Sequence, residues 1–393
     1  MRVRQLKAYR LRLPLRRPIR HASASRTESE NLLIGCTLED GTVGWGEGVP
    51  RDYVTGESVS GALQQLELSD IGQQLFQDCG SWEDVIHLCE HLEIFRTPGD
   101  TRGCYGNALR CALELSLLDA YGRLFEQSVS EVVARTASEL NLQKTQRQVR
   151  YSGVITAAAP WNELRSALKI RAYGFAQCKI KVGMPGIDDA DRLTRLRRWL
   201  GPRMDLRLDA NEAWKPEEVK SRLQAFLLHR ISAIEQPVAH QDVDVLTEIR
   251  REFPIRLMLD ESLTSSLDAS MAIRKGTCDL FNIRLSKCGG IFNSLRLVAM
   301  ARDAGLGYQL GCHPGESGIL SAAGRHFATN VTNLTYLEGS YDRHVLGRSL
   351  TEEDITFGYG GRAPALLGHG LGVVVKPDAL KQMAVACQSY QLN

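Results

Sequence analysis

The sequence predicts an α/β protein: an eight-stranded parallel β/α barrel, preceded by a small α+β domain and followed by a Gly-rich tail. Three observations carry this. From about residue 150, short apolar strands alternate with amphipathic helical stretches, and eight such units close a barrel. The first 50 residues have the alternation of strands and are followed by helical periodicity, the order of an α+β unit. The length of 393 residues exceeds one minimal domain and suits a large barrel with a smaller companion.

The opening MRVRQLKAYRLRLPLRRPIR is basic, but arginines interrupt every apolar stretch, so no signal-peptide core is expected. Arg10-Leu11-Arg12-Leu13 alternates as a half-buried strand does, not as the helix of a mitochondrial presequence would. Strands are expected over 2–13, 31–39 and 42–47, with Asp40-Gly41 as the hairpin turn between the last two. GWGEG at 44–48 reads as a Gly-rich turn after a strand, and G-x-G-x-x-G is absent. Helices are expected near 58–68, 81–94 and 105–127, the last reading NALRCALELSLLDAYGRLF.

The barrel strands are expected at 151–156, 177–182, 205–210, 232–236, 255–260, 280–286, 306–311 and 335–338. The LGVVVKP segment of the tail is expected to pack back on the first domain. The chain thus divides into a cap over 1–130, completed by about 345–393, and a barrel over 131–345.

Composition narrows the function. Forty-eight basic residues are balanced by 46 acidic ones, a net charge of +2, which gives no footprint for nucleic acid. No run reaches the roughly 18 apolar residues of a membrane helix. Apolar residues at 43% and charged residues at 24% exclude general disorder. The ten cysteines include no Cys-x-x-Cys pair and several lie in apolar runs, so reduced, packed thiols in a cytoplasmic protein are expected.

One constellation stands out. Lys181, Asp209, Glu235, Asp260, Lys287, His313 and Glu338 are spaced by 28, 26, 25, 27, 26 and 25 residues. That is the period of one β/α unit, so each is expected at the C-terminal end of its strand, on the mouth where barrel active sites form. Asp209, Glu235 and Asp260 come from three consecutive strands. Three such carboxylates repel one another unless a cation sits between them, and a hard divalent ion, Mg²⁺, suits oxygen ligands best. Zinc is disfavoured, because no adjacent His or Cys completes a tetrahedral set. Lys179 and Lys181 on the second strand and Lys287 on the sixth stand on either side of the metal strands. This suits removal of a proton next to a carboxylate. Metal and lysine would stabilise the enediolate, and the base would be a lysine whose pKa is drawn to roughly 7–8 by neighbouring cations.

These residues resemble a family. CKIKVG, LDAN, IEQP, LDES and LSKCGG, in this order and spacing, are similar to the motifs of the enolase superfamily, muconate-lactonising (muconate cycloisomerase-like) subgroup. The likeness spans nearly the whole chain, including GWGEGVPRDYVTGES and the helix around LSLLDAYG. Chemistry with a Lys or His base and Mg²⁺ is known for the superfamily. The resemblance implies a (β/α)₇β modified TIM barrel under an α+β cap. It implies Asp209, Glu235 and Asp260 as Mg²⁺ ligands, Lys181 and Lys287 as acid/base catalysts, and Lys179 on the substrate carboxylate. Asn211 and Glu261 would support them. Cap loops at Ile19–Ser25 and Arg51–Gly56 would close on the substrate and set specificity; Arg51, Tyr53, His313, Glu316 and Glu338 are the candidate substrate-binding residues, and the family pattern gives no guide to the last three. Barrels of this family often assemble, so a homo-oligomer is expected.

There are departures from the family pattern. Related racemases pair a strand-seven His with an Asp three residues before the strand-six lysine; here that position is Arg284, so Lys287 remains the base. Dipeptide epimerases of the subgroup carry Asp-x-Asp on strand eight to hold an ammonium, where this chain has Glu338-Gly339-Ser340. His313-Pro314-Gly315-Glu316 also stands apart.

Plainer readings compete. The three acids as solvated loop carboxylates, and Lys181 and Lys287 as surface lysines, conflict with the shared period. His313 reads either as a hydrogen-bonded structural histidine or as a substrate ligand. Glu338 and the pair Arg51 and Tyr53 read as surface or as site, and Glu316 as site or as partner of a nearby base. His87-Leu88-Cys89-Glu90-His91 matches the inverted zinc-peptidase pattern H-x-x-E-H, but nothing else supports a peptidase.

The expectation is a Mg²⁺-dependent enolising isomerase acting on a small carboxylate, racemase or epimerase first. Cycloisomerase or syn-eliminating lyase is the alternative on the same residues. A barrel retained for binding without turnover is the alternative of another class, and the intact acids and lysines argue against it.

Overall fold

A computed structural model of the chain describes residues 1–20, 25–95, 97–156 and 159–392. Its strands are β1 (Val3–Arg20), β2 (Ser25–Leu38), β3 (Val43–Gly48), β4 (Gln148–Arg150), β5 (Gly153–Ile155), β6 (Gln177–Lys181), β7 (Asp205–Asp209), β8 (Ile231–Glu235), β9 (Arg256–Leu259), β10 (Leu280–Ile283), β11 (Gly307–Leu310), β12 (Leu334–Leu337), β13 (Arg362–Pro364) and β14 (Ala384–Gln391).

Strands β5 to β12 form one parallel sheet in sequence order. Seven helices connect them: Pro160–Ala172, Asp189–Leu200, Val219–Phe226, Leu246–Glu252, Ser266–Lys275, Ile291–Asp303 and Gly318–Asn330. The ring closes where Ser152 N donates to Leu337 O at 2.9 Å and Gln177 Nε2 donates to Thr335 O at 3.2 Å. This is the (β/α)₇β barrel expected from the sequence, and the short helix Asp342–Val345 takes the place of an eighth long one. Alternation sorts each strand: in β6, Cys178 and Ile180 are buried in the main apolar core, while Lys179 and Lys181 share the other face. A separate small core of Ala233, Met258, Leu280 and Tyr336 fills the barrel below its charged mouth.

The cap is a four-stranded antiparallel sheet in the order β14-β1-β2-β3. β1 runs past the expected residue 13, with a register break between Pro14 and Ile19, where Pro14 and Pro18 lack a donor. β14 was not expected; it pairs with β1 from Gln5↔Gln391 onward and brings the end of the chain onto the cap. The tail also packs there, with Leu371 N donating to Asp119 at 2.8 Å and Arg123 donating to Val373 O at 2.7 Å.

GWGEG is not a turn. Gly44, Gly46 and Gly48 lie in β3, and a Cβ on them would come within 2.1 Å of Ala120 N, 2.0 Å of Ala112 O and 2.0 Å of Ala108 O. The glycines let the helix Asn107–Leu124 lie backbone to backbone on the strand, which explains why that helix is buried nearly all round.

Two buried cap glutamates fasten the cap to the barrel at helix N-termini, where free N–H groups and the helix dipole favour an anion. Glu47 accepts from Ser317 N (3.0 Å), Ser317 Oγ (2.7 Å) and Leu320 N (3.1 Å) at the start of Gly318–Asn330. Glu114 accepts from Ile291 N and Phe292 N at the start of Ile291–Asp303. Among the described residues, no helix is long and apolar enough to cross a membrane.

The helix Gly318–Asn330 is tied to the tail by His326, whose Nε2 lies 3.0 Å from Leu371 O. Burial lowers the His326 pKa to about 4, against an ordinary 6.5. Between these two values an unfolded chain binds a proton that the folded chain refuses, so stability falls as pH drops through that window. A thermal-denaturation series from pH 7 to pH 4 is expected to show a falling Tm in the wild type and a shallower fall in His326→Gln.

Candidate active site

The barrel order decides the geometry of the mouth. β6 and β10 are separated by three strands on either side of the ring, so the residues they carry face each other across it. Lys179 and Lys181 come from β6, and Lys287 from the turn after β10. Between them on one side, β7 and β8 end in Asp209 and Glu235, and Asp260 follows β9 directly. The shared period therefore gathers these residues at one rim. It overstates their equivalence, because β10 ends at Ile283 and Lys287 lies beyond it, folding back so that its Nζ donates to Asn282 O (2.9 Å) and Asp260 O (2.7 Å).

The three carboxylates are almost fully buried. Lys179 Nζ lies 3.3 Å from Asp209, 3.4 Å from Glu235 and 2.8 Å from Glu338. Lys287 Nζ is 2.8 Å from Asp260 Oδ1, and Arg284 pairs with the same carboxylate. Burial alone would raise the Asp260 pKa, but Arg284 and Lys287 outweigh it and hold it well below the usual carboxylate range. Glu235 goes the other way. Burial, with repulsion from Asp209, Glu338 and Asp260, exceeds the help from Lys179 and pushes it up to about 8.

Basic groups thus stand between the acids, and among the described residues no set of three metal-ligating side chains closes on one point. The donor chemistry nevertheless fits a hard divalent cation: three oxygen-only side chains on successive strand ends, the central one penalised by uncompensated negative charge.

Lys181 Nζ donates to Asn211 Oδ1 at 2.7 Å, and Asn211 Nδ2 donates to Glu261 Oε1 at 3.3 Å. Burial and the neighbouring Asp260 push Glu261 well above the ordinary range. Asn211, Glu212 and Gln236 have φ of 44°, 64° and 38°, left-handed values that non-glycine residues rarely adopt. All three follow strand ends that carry a carboxylate, so the backbone bends sharply just where the acids are presented.

The other half of the mouth corrects several readings. His313 is 2% exposed, neither ring nitrogen has a hydrogen-bond partner among the described residues, and Nδ1 lies 3.9 Å from Glu316 Oε1. Burial, with Arg284 and Arg51, lowers the His313 pKa well below 6.5 and so favours the neutral imidazole. Glu316 accepts from His313 N at 2.6 Å, and burial raises its pKa to about 8.

Arg51 and Glu338 are buried and not surface residues. The Arg51 guanidinium donates to neutral oxygens: Glu30 O (2.9 Å), Pro50 O (2.8 Å), Ser29 Oγ (2.6 Å) and Pro314 O (3.4 Å). It clamps the cap to the loop after β11. Tyr53 lies under Arg26, whose guanidinium is 4.7 Å from the ring centre. Of the expected loop Ile19–Ser25, residues 21–24 lie outside the described residues, and the flanks continue β1 and β2. His87 and His91 stack at 4.1 Å on the cap helix Trp82–Glu90, with His91 Nδ1 2.8 Å from His87 O, while Glu90 pairs with Arg296. The H-x-x-E-H pattern is absorbed by local contacts.

Residues 163–379, more than half of the chain, match the family model described as enolase C-terminal domain-like. The chain belongs to the enolase superfamily. It is 27% identical to the N-succinyl-L-Arg/Lys racemase of Bacillus cereus over 98% of both chains. The crystal structure of that racemase matches with a TM-score of 0.86, 25% identity and full coverage of both chains. The L-Lys-D/L-Arg epimerase of Methylococcus capsulatus is 30% identical over 93% of this chain and 96% of its own. The crystal structure of a dipeptide epimerase from Enterococcus faecalis, complexed with Mg and the dipeptide L-Leu-L-Tyr, matches at a TM-score of 0.80 with 26% identity, covering 95% of this chain and 99% of its own. These relatives are isomerases, and so is this member of the superfamily.

Three residues of this enolase-superfamily mouth were not singled out by their spacing. Arg207 lies two residues before Asp209 on β7, Asn282 lies on β10, and Arg284 follows that strand directly. Asn282 Nδ2 donates to Glu235 Oε1 at 2.7 Å, and Arg207 pairs with Glu338. For Arg207 the signal was available: in a strand, two residues back from an inward acid is another inward residue.

Proposed function

We propose that the protein is a racemase or epimerase that removes and returns the α-proton of a carboxylate substrate. One observation carries the reading: Lys181 and Lys287 come from opposite sides of the ring, with the buried carboxylates on the strands between them. A substrate held in that mouth has a lysine amine on each face. Lys179 would bind its carboxylate. One lysine, as the free amine, takes the α-proton onto Nζ, and the C–H electron pair spreads into the carboxylate. The opposite lysine, as the ammonium, gives a proton from its Nζ to the other face of the same carbon. In the reverse direction the two exchange roles. Asn211 holds Lys181, and Asp260 with the carbonyls of Asp260 and Asn282 holds Lys287, so both amines are oriented before substrate arrives.

Mg²⁺, held by Asp209, Glu235 and Asp260, would supply Lewis acidity that lowers the cost of gathering charge on the substrate carboxylate. The cap supports exclusion of water: Arg51 seals the loop that carries His313 and Glu316.

For the substrate we propose an amino acid acylated at its α-nitrogen. The relatives named above act on such compounds, as N-succinyl amino acids or as dipeptides. Both oxygens of Glu338 are occupied by Arg207 and Lys179, so strand eight offers no free acid for a substrate ammonium. This favours N-acyl amino acids over dipeptides.

In D₂O with an N-acyl amino acid, Lys181→Ala and Lys287→Ala are each expected to lose racemisation by about 10³-fold or more, within the range for a general acid or base. For a given enantiomer, only one of the two variants should still wash deuterium into recovered substrate, and the other enantiomer should reverse the pattern. Racemisation surviving in either variant would refute the assignment. Conversion with no deuterium in recovered substrate would favour cycloisomerase or lyase chemistry instead.

Mg²⁺ at 100 times its Kd is expected to stabilise the wild type by about 2.7 kcal/mol, read as a rise in Tm, and Asp209→Asn should show no such rise.

A further inference from the structure

Against Lys179 stands a buried ion pair, Arg207 with Glu338, that the proposed chemistry does not itself use. Arg207 stands two residues before Asp209 on β7 and shares its inward face; it is 1% exposed. Its Nη2 donates to Glu338 Oε1, and its Nη1 donates to Ser152 Oγ at 3.1 Å. The guanidinium lies 4.5 Å over the ring of Tyr336. That ring is itself fixed: its hydroxyl donates to Ser232 Oγ at 2.8 Å and accepts from Arg256 at 2.9 Å. Glu338 Oε2 then accepts from Lys179 Nζ at 2.8 Å. The chain of contacts thus runs from a packed aromatic ring, through Arg207 and Glu338, to the ammonium of Lys179.

We infer that Arg207 and Glu338 are positioning residues that hold Lys179 in place for the substrate carboxylate. The inference rests on the proposed role of Lys179. What decides it is which partner of Lys179 can act as its anchor. Lys179 touches three carboxylates, and two of them, Asp209 and Glu235, are the residues proposed to hold Mg²⁺. They are also its more distant partners. Glu338 is the partner outside that set, the nearest one, and the one with a support of its own. A lysine is a point charge on a flexible four-carbon stem, so its direction is set by what holds its end. Arg207 holds one oxygen of Glu338 through Nη2, and its guanidinium is itself pinned by Ser152 and by stacking on Tyr336, which keeps the carboxylate from swinging. Glu338 therefore acts through Lys179, without contact with the reacting atoms.

A kinetic double-mutant cycle tests this with Arg207→Met, Lys179→Met and the double variant, on an N-acyl amino acid with Mg²⁺. Arg207→Met is expected to raise KM at least tenfold with a smaller fall in kcat, the pattern of lost carboxylate binding. In the Lys179→Met background the same change should alter KM less than twofold, and Arg207→Lys should recover part of the loss. An equal KM penalty in both backgrounds would overturn the inference. If Arg207→Met does not fold, Glu338→Gln carries the same cycle.

Crystal structures of wild type and variant, with Mg²⁺, supply a readout independent of turnover. The Lys179 ammonium should leave Glu338 in Arg207→Met, and an unmoved ammonium would overturn the inference. A wild type that racemises no N-acyl amino acid would refute the proposed function, while the crystal structures still decide the positioning claim.

Discussion

Charge buried at the barrel mouth must be paired, and most of the arrangement follows from that demand. Asp209, Glu235, Asp260 and Glu338 all lose water in the fold, and an isolated carboxylate there would neutralise or disrupt its surroundings. The protein answers with Lys179, Arg207, Arg284 and Lys287, each placed against one or more of these acids. The pairing is uneven. Asp260 and Glu338 are held firmly ionised, whereas Glu235 at the centre remains short of positive charge. That asymmetry supports the proposal that a further cation is held at the centre of the three acids.

The cap serves the same mouth from above. Its buried glutamates use the N-termini of the last two long barrel helices as anchors, so the elements that carry Lys287, His313 and Glu316 are also those that hold the cap down. The contact between β3 and the helix Asn107–Leu124 gives this anchor a rigid base, because no side chains separate the two backbones. Arg51 completes the joint by tying β2 to the loop after β11.

Much of this was legible in the sequence. Strand alternation and a period of 25 to 28 residues brought the acids and lysines to one rim, because a β/α unit has a nearly fixed length and a strand points every second residue inward. The same rule could have found Arg207. β14 escapes a sequence reading because an exposed edge strand carries little apolar pattern: Ala384–Gln391 has no buried residue. GWGEG reads wrongly as a turn because glycine signals both turns and close backbone approach, and only the packed helix separates the two. The clamp made by Arg51 was beyond reach, since its acceptors are main-chain oxygens brought together by the fold.

The central claim is that two lysines address opposite faces of one carbon. The most direct test is a crystal structure with Mg²⁺ and a bound N-acyl amino acid. The account predicts the Nζ atoms of Lys181 and Lys287 on opposite sides of the α-carbon, each within roughly 3–3.5 Å, the separation of a reactive pair. Both amines on one face, or an α-carbon within reach of neither, would contradict it.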